Sequence, residues 1–194
     1  MGLQHRTMLS WTVIGFLAIA CFVLMLIERS GVRTTLQATF KGDVKRETRW
    51  WAQYGQGACT VFVAVLLWQL DKVHTGAAIA LIIAAFGASG VCTLIKRLVG
   101  RVRPNREMAG KFLGPTLKHA NFRESFPSSH SASAIAMTVM LAQLYPAGAS
   151  TFWVLGLGCA VLRYVMDAHW PSDVLGGIAL GAACANLVVV GFVF

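Results

Sequence analysis

Charge is what this sequence has least of. Lys, Arg, Asp and Glu together make up 13% of its 194 residues while 56% are hydrophobic, which leaves too little polar surface to coat a water-soluble globule. Acidic residues are the scarcer sign, 8 Asp and Glu against 17 Lys and Arg, for a formal charge of +9. The five cysteines, Cys21, Cys59, Cys92, Cys159 and Cys184, contain no C-x-x-C pair and all fall within apolar runs. They read as reduced packing residues and argue against a metal cluster built on thiolates. A small-residue cleavage pattern is also missing after the first apolar run, which follows Arg6 and ends at Glu28-Arg29. That run is expected to be a retained helix and not a secretory signal.

What the chain does have is apolar length. Six runs stand out, at about 9–27, 58–70, 75–95, 129–145, 151–165 and 174–194. They predict an all-α fold, a polytopic membrane bundle of six transmembrane helices forming a single domain over residues 1–194. Several runs are shorter than the roughly 20 residues a perpendicular span needs, so polar flanks such as residues 55–57 are expected to complete them. The small-residue stretches Gly87-Ala88-Ser89-Gly90 and Gly176-Gly177 with Gly181 suit close helix packing in lipid.

Two long polar stretches remain, 28–56 and 96–127, and function is expected there. Alternate counting of six crossings puts both stretches and the 163–173 link on one face. The first, with Arg46, Arg49, Trp50 and Trp51, predicts an amphipathic helix along the interface. In a soluble chain the basic excess would suggest nucleic acid. Set between apolar runs, it points instead to phosphorylated membrane lipids as the anionic partner.

Three clusters place ionisable groups at helix ends on that face, where an unpaired charge is costly. Lys96 precedes Arg103-Pro104 by six intervening residues; alone this is a membrane-boundary anchor, or else a clamp on one phosphate. Pro127-Ser128-Ser129-His130 opens the fourth run. Its hydroxyls are natural helix caps, but a helix N-terminus is also a seat for phosphate oxygens, with His130 beside it carrying a transferable proton. Arg163, His169 and Asp173 occupy the link between the last two runs. Arg163 paired with Asp167 or Asp173 is the plain structural reading, while the chemical one makes His169 a nucleophile whose other ring N–H is held by Asp173.

Taken together, the order and spacing resemble the type 2 phosphatidic acid phosphatase superfamily, whose pattern is K-x6-RP, PSGH and SR-x5-H-x3-D. Two positions depart from it: Ser129 stands in place of the usual Gly, and Leu162 in place of the Ser before Arg163. The resemblance implies that Lys96, Arg103, Ser128, Ser129 and Arg163 bind the substrate phosphate. It further implies that His169 forms a phosphohistidine, Asp173 steadies it, and His130 protonates the leaving group and then activates water. No cofactor and no metal are implied, the cations taking the part that metal ions play elsewhere. The implied activity is that of a lipid phosphate phosphatase acting on a phosphomonoester or diphosphate lipid. The same residues would serve a phosphotransferase, and a small membrane transporter is the alternative from another class. Of the 17 cations only Arg6 and Lys72 fall on the face opposite the clusters, a bias that favours a cytoplasmic site. The bacterial members of the family favour the outer face of the inner membrane, and that orientation is the one expected here.

Overall fold

The computed structural model describes residues 9–32, 34–36 and 40–191. Seven α-helices account for most of this: α1 (Trp11–Arg29), α2 (Gly42–Ala52), α3 (Gly57–Leu70), α4 (Ala77–Val99), α5 (Ser129–Leu144), α6 (Ala149–Val165) and α7 (Pro171–Gly191). Among the described residues there is no strand, only an isolated bridge between Arg101 and Phe112. The class is therefore all-α, as its apolar runs predict. Helices α1 and α3 to α7 fall on the six runs, and α2 is the amphipathic segment of the first polar stretch.

Among the described residues four helical stretches are long and apolar enough to cross a membrane: α1, α4, Pro146–Val165 and α7. Their outward faces are clothed in large apolar side chains, Phe16 and Phe22 of α1 being 66% and 62% exposed. In water such a surface is not sustainable, and the chain is an integral membrane protein. Helix α3 has only 14 residues, about 21 Å at 1.5 Å per residue against a hydrocarbon core of about 30 Å. Of the flank expected to lengthen it, only Gly57 joins the helix. Gln56 is extended (φ −87°, ψ 151°) and the helix starts at Gly57, leaving Gly55 in a separate 3-10 turn, Gln53–Gly55. Arg6 and the last three residues of the sixth run lie outside the described residues.

Helix α5 is the axis of the bundle. Residues 131–142 are buried without exception because α4, α6 and α7 pack round it, with α1 against α7, α3 against α4 and α2 against α6. A helix apolar or small on every side is the kind that occupies such a position. Helix α7 comes closest where its side chains vanish: a Cβ at Gly177 would run into the Ser128 carbonyl, and one at Gly181 into the Ala132 carbonyl. This small-residue contact fixes the first turn of α5 against α7. The other glycine-rich stretch behaves differently, since a Cβ on Gly87 or Gly90 would meet open space; those positions face outward and bring no helix closer.

Candidate active site

Four segments converge at one end of the bundle, and each has a local reason for its path. Helix α4 ends at Gly100, whose positive φ of 63° caps it in the left-handed conformation that glycine adopts without strain. Lys96 therefore sits in the last helical turn, and the chain leaves as an extended segment carrying Arg101, Val102 and Arg103. Val102 N–H bonds to the Lys111 carbonyl at 2.8 Å and Gly110 N–H to the Val102 carbonyl at 3.1 Å, which holds that segment in a folded-back loop. Helix α7 opens with Pro171 at its first position, and Asp173 Oδ2 accepts the Trp170 N–H at 3.0 Å. This is the reach-back half of a capping box, and it fixes the residue just before it, His169.

The outcome is a cleft of about 310 Å³ whose walls include Lys96, Arg103, Ser129, His130 and His169. Lys96 Nζ donates to Ser129 Oγ. The first-turn N–H groups of α5, at Ser129 and His130, have no intrahelical acceptor and point out of the helix start. Arg103 is braced by donating from Nε to the Asn121 carbonyl at 2.8 Å and from Nη1 to the Ala168 carbonyl at 2.9 Å. Its Nη1 lies 3.4 Å from His169 Nε2.

The tautomer of His169 follows from its partners. Nδ1 is 2.8 Å from the Ser125 carbonyl, an oxygen that only accepts, so Nδ1 carries the proton and Nε2 presents its lone pair to the cleft. Burial pushes the imidazole down to about 4; Asp173 opposes the shift while Arg103 and Arg163 add to it. At neutral pH the ring is unprotonated, the state a nucleophile requires.

Three of the residues singled out in the sequence take other places than expected. Ser128 does not reach the cleft: it is fully buried, caps α5 by accepting from the Ser131 N–H at 3.4 Å, and pairs with the Ser131 hydroxyl at 2.8 Å. Both bonds use Ser128 Oγ as acceptor, and the residue is not among the cleft walls. Asp173 does not directly hold His169; its Oδ2 is 3.7 Å from Nδ1, a separation too long for a hydrogen bond, and the Ser125 backbone takes that part. Arg163 is not among the cleft walls but stands near enough for its charge to bear on His169. Its carbonyl accepts from the His169 N–H at 3.2 Å, and its buried Nε has no hydrogen-bond partner among the described residues.

Behind His169 lies a network that the sequence motifs do not announce. Arg101, fully buried, donates from Nη1 to Asp173 Oδ1 and to Ser172 Oγ, both at 2.6 Å, and from Nη2 to Glu28 Oε2 at 2.7 Å. The Ser125 hydroxyl completes the shell of Asp173, and the Ser172 hydroxyl binds Glu28. The guanidinium is stacked between Phe112 and Trp170, 5.4 and 5.1 Å from the ring centroids, and Trp170 Nε1 donates to the Val102 carbonyl at 3.1 Å. The side chains of Glu28 and Asp173 are 1% and 0% exposed. One carboxylate from the end of α1 and one from the start of α7 are thus bridged by a single planar fork.

With this geometry in hand, similarity to known proteins is specific. The profile of the PAP2 superfamily matches residues 75–193, which hold every residue of the cleft walls named above. The lipid A 1-phosphatase of Rhizobium johnstonii is 32% identical over 157 residues, 72% of this chain and 64% of that protein. The decaprenylphosphoryl-5-phosphoribose phosphatase of Mycobacterium tuberculosis is 35% identical over 105 residues, 54% of this chain and 55% of the relative. The chain therefore spans less than two thirds of the length of either. Among solved structures, the transmembrane PAP2-type phosphatidylglycerolphosphate phosphatase of Bacillus subtilis superposes with a TM-score of 0.61 over 92% of this chain and 91% of the other, at 18% identity. That likeness is one of fold.

Proposed function

Because this chain belongs to the PAP2 superfamily, we propose that its cleft hydrolyses the phosphate of a membrane lipid through a phosphohistidine on His169. The observation that carries this reading is the fixed tautomer: Nδ1–H is spent on the Ser125 carbonyl and Nε2 faces the cleft beside Arg103. Lys96, Arg103, Ser129 and the first-turn amides of α5 receive the phosphate, and Arg163, whose buried Nε has no partner among the described residues, turns to it. Cations and preorganised N–H donors offset the charge spread over the equatorial oxygens in phosphoryl transfer.

In the first step the Nε2 lone pair attacks phosphorus and the ester P–O bond breaks, its electrons going to the lipid oxygen, which takes a proton from His130. In the second, water gives a proton to His130 and its oxygen bonds to phosphorus. The P–N bond then breaks and His169 is restored as inorganic phosphate leaves. Asp173 acts at 3.7 Å as a fixed negative charge, favouring the positive imidazole of the phosphohistidine. Arg101 and Glu28 are positioning residues for Asp173 and do not touch the substrate.

Among the described residues no three His, Cys, Asp or Glu side chains are grouped to hold a metal ion. Phosphate release from a detergent-solubilised lipid phosphate is accordingly expected to persist in EDTA. A panel of phosphatidic acid, phosphatidylglycerophosphate, undecaprenyl diphosphate and lipid A identifies the lipid. Activity lost on chelation and restored by a divalent ion would overturn the mechanism.

The same reading makes residues 1–194 one domain with six crossings of a bacterial inner membrane, α3 and α5 included, and the cleft on the outer face. Ser30 and Ala147 are both exposed at opposite ends of the bundle. In intact cells an impermeant thiol reagent should label Ser30→Cys and spare Ala147→Cys, with the parent chain as background. The reverse pattern would place the cleft in the cytoplasm.

A further inference from the structure

A second cavity, about 940 Å³, opens beneath α2. Its lining holds three cations, Lys45, Arg46 and Arg49, and neither a carboxylate nor a histidine. Arg46 is already engaged, 3.1 Å from both Asp43 and Glu47. Lys45 and Arg49, one turn apart on the same helix face, carry no ion pair among the described residues. The floor is apolar, formed by Ala58 and Cys59 at the start of α3 and by Leu155 of α6. Trp51 fastens the roof by donating from Nε1 to the Leu155 carbonyl at 3.2 Å, and Trp50 stands 70% exposed beside it, as indoles do at a membrane interface. The cavity thus has a charged mouth and an apolar base. It also shares Gln56 with the cleft, so the two sites are neighbours.

We propose that this cavity is a binding site for an anionic glycerophospholipid that is not a substrate, its phosphate held between Lys45 and Arg49 and its acyl chains laid over Ala58, Cys59 and Leu155. Charge complementarity selects the headgroup, and the apolar floor selects a lipid over a soluble phosphate. The missing histidine is what separates this site from the cleft: a phosphodiester lodged here meets no nucleophile of the kind the cleft provides and stays intact. The place of α2 in the fold gives the bound lipid a route to the catalytic end. The helix runs directly into the turn carrying Gly55, where a Cβ would collide with the His130 carbonyl, so a lipid that steadies α2 steadies the backbone beside His130.

The test reads binding and not turnover, so it stands whether or not the cleft proves to be a phosphatase. The full chain in neutral-detergent micelles is titrated with phosphatidylglycerol, phosphatidylcholine and glycerol 1-phosphate, and bound lipid is counted by native mass spectrometry. Phosphatidylglycerol should bind in preference to phosphatidylcholine. The variant K45Q/R49Q should weaken it by on the order of tenfold for each cation removed, the usual worth of a hydrogen bond to a charged group. K111Q/K118Q removes the same charge from exposed positions elsewhere on that face and should leave binding unchanged. All four side chains are exposed, so both variants keep the fold. Equal weakening in the two variants, equal binding of the two phospholipids, or displacement of phosphatidylglycerol by glycerol 1-phosphate would each overturn the proposal.

Discussion

Replacing His169 with alanine is expected to lower turnover by on the order of 10⁶-fold, as for loss of a covalent nucleophile elsewhere, and to leave no phosphoenzyme at all. The wild-type chain, quenched in alkali where phosphohistidine survives, should show the adduct by mass spectrometry. His169 is 1% exposed, so alanine leaves a small void, and a melting curve separates lost chemistry from lost fold. A phosphoenzyme found in His169→Ala would refute the assignment. His130→Ala supplies the contrast, since it removes the acid and keeps the nucleophile. A lipid monophosphate must expel a strongly basic alkoxide, where general acid help is worth roughly 10²- to 10⁴-fold; a diphosphate expels a phosphate that already leaves well. In single-turnover measurements of adduct formation the variant should therefore lose more on monophosphates. Asp173→Asn should keep residual activity, because the Ser125 carbonyl still receives the Nδ1 proton at 2.8 Å.

Much of this was open to reading in the sequence because the chemistry is written in helix ends. The spacing of Lys96 to Arg103 carries the chain from the last turn of α4 into the cleft, and His169 and Asp173 lie four residues apart at the mouth of α7, where a cap fixes both. Alternate counting of apolar runs predicts the three clusters on one face, and the structure brings their segments to one end of the bundle. Ser128 is open to two readings in the sequence, cap or phosphate ligand, and the structure shows the cap, with the side chain buried and accepting from Ser131. What the sequence conceals is Glu28 with Arg101. The two are 73 residues apart, with no shared periodicity, and each resembles an ordinary boundary charge beside a membrane helix. The one hint was Glu28 itself, an acidic residue closing the first apolar run in a chain where acids are few. Ser125 was hidden for a different reason, because its backbone carbonyl does the work and a carbonyl has no sequence signature.

Arg101→Met should be among the most destabilising single changes in the chain. It leaves Glu28 and Asp173 as buried carboxylates without the cation that bridges them, and breaking a buried pair by removing one partner costs about 3–5 kcal/mol, a large part of the roughly 5–15 kcal/mol that holds a typical domain together. The expected readout is a steep fall in melting temperature or in yield of folded protein. Stability alone would not distinguish a strut from a residue that positions the catalytic end, so the conservative variants decide that point. Arg101→Lys keeps the charge but replaces the planar fork, which reaches Glu28 through Nη2 at 2.7 Å and Asp173 through Nη1 at 2.6 Å, with a single ammonium that cannot span both. Glu28→Gln keeps the shape and removes the outer charge. Each should fold, and each should lower kcat by on the order of 10- to 100-fold, the effect that losing an outer partner has on a metal-bound histidine, with KM little changed because the proposed phosphate ligands Lys96, Ser129 and Arg103 are intact. The loss should fall on phosphohistidine formation in single turnover, since Asp173 is what these residues hold in place beside His169. A folded Arg101→Lys enzyme with unchanged kcat would reduce the network to scaffolding. One that loses KM and kcat in equal measure would show instead that Arg101 shapes the phosphate cradle through the neighbouring Arg103.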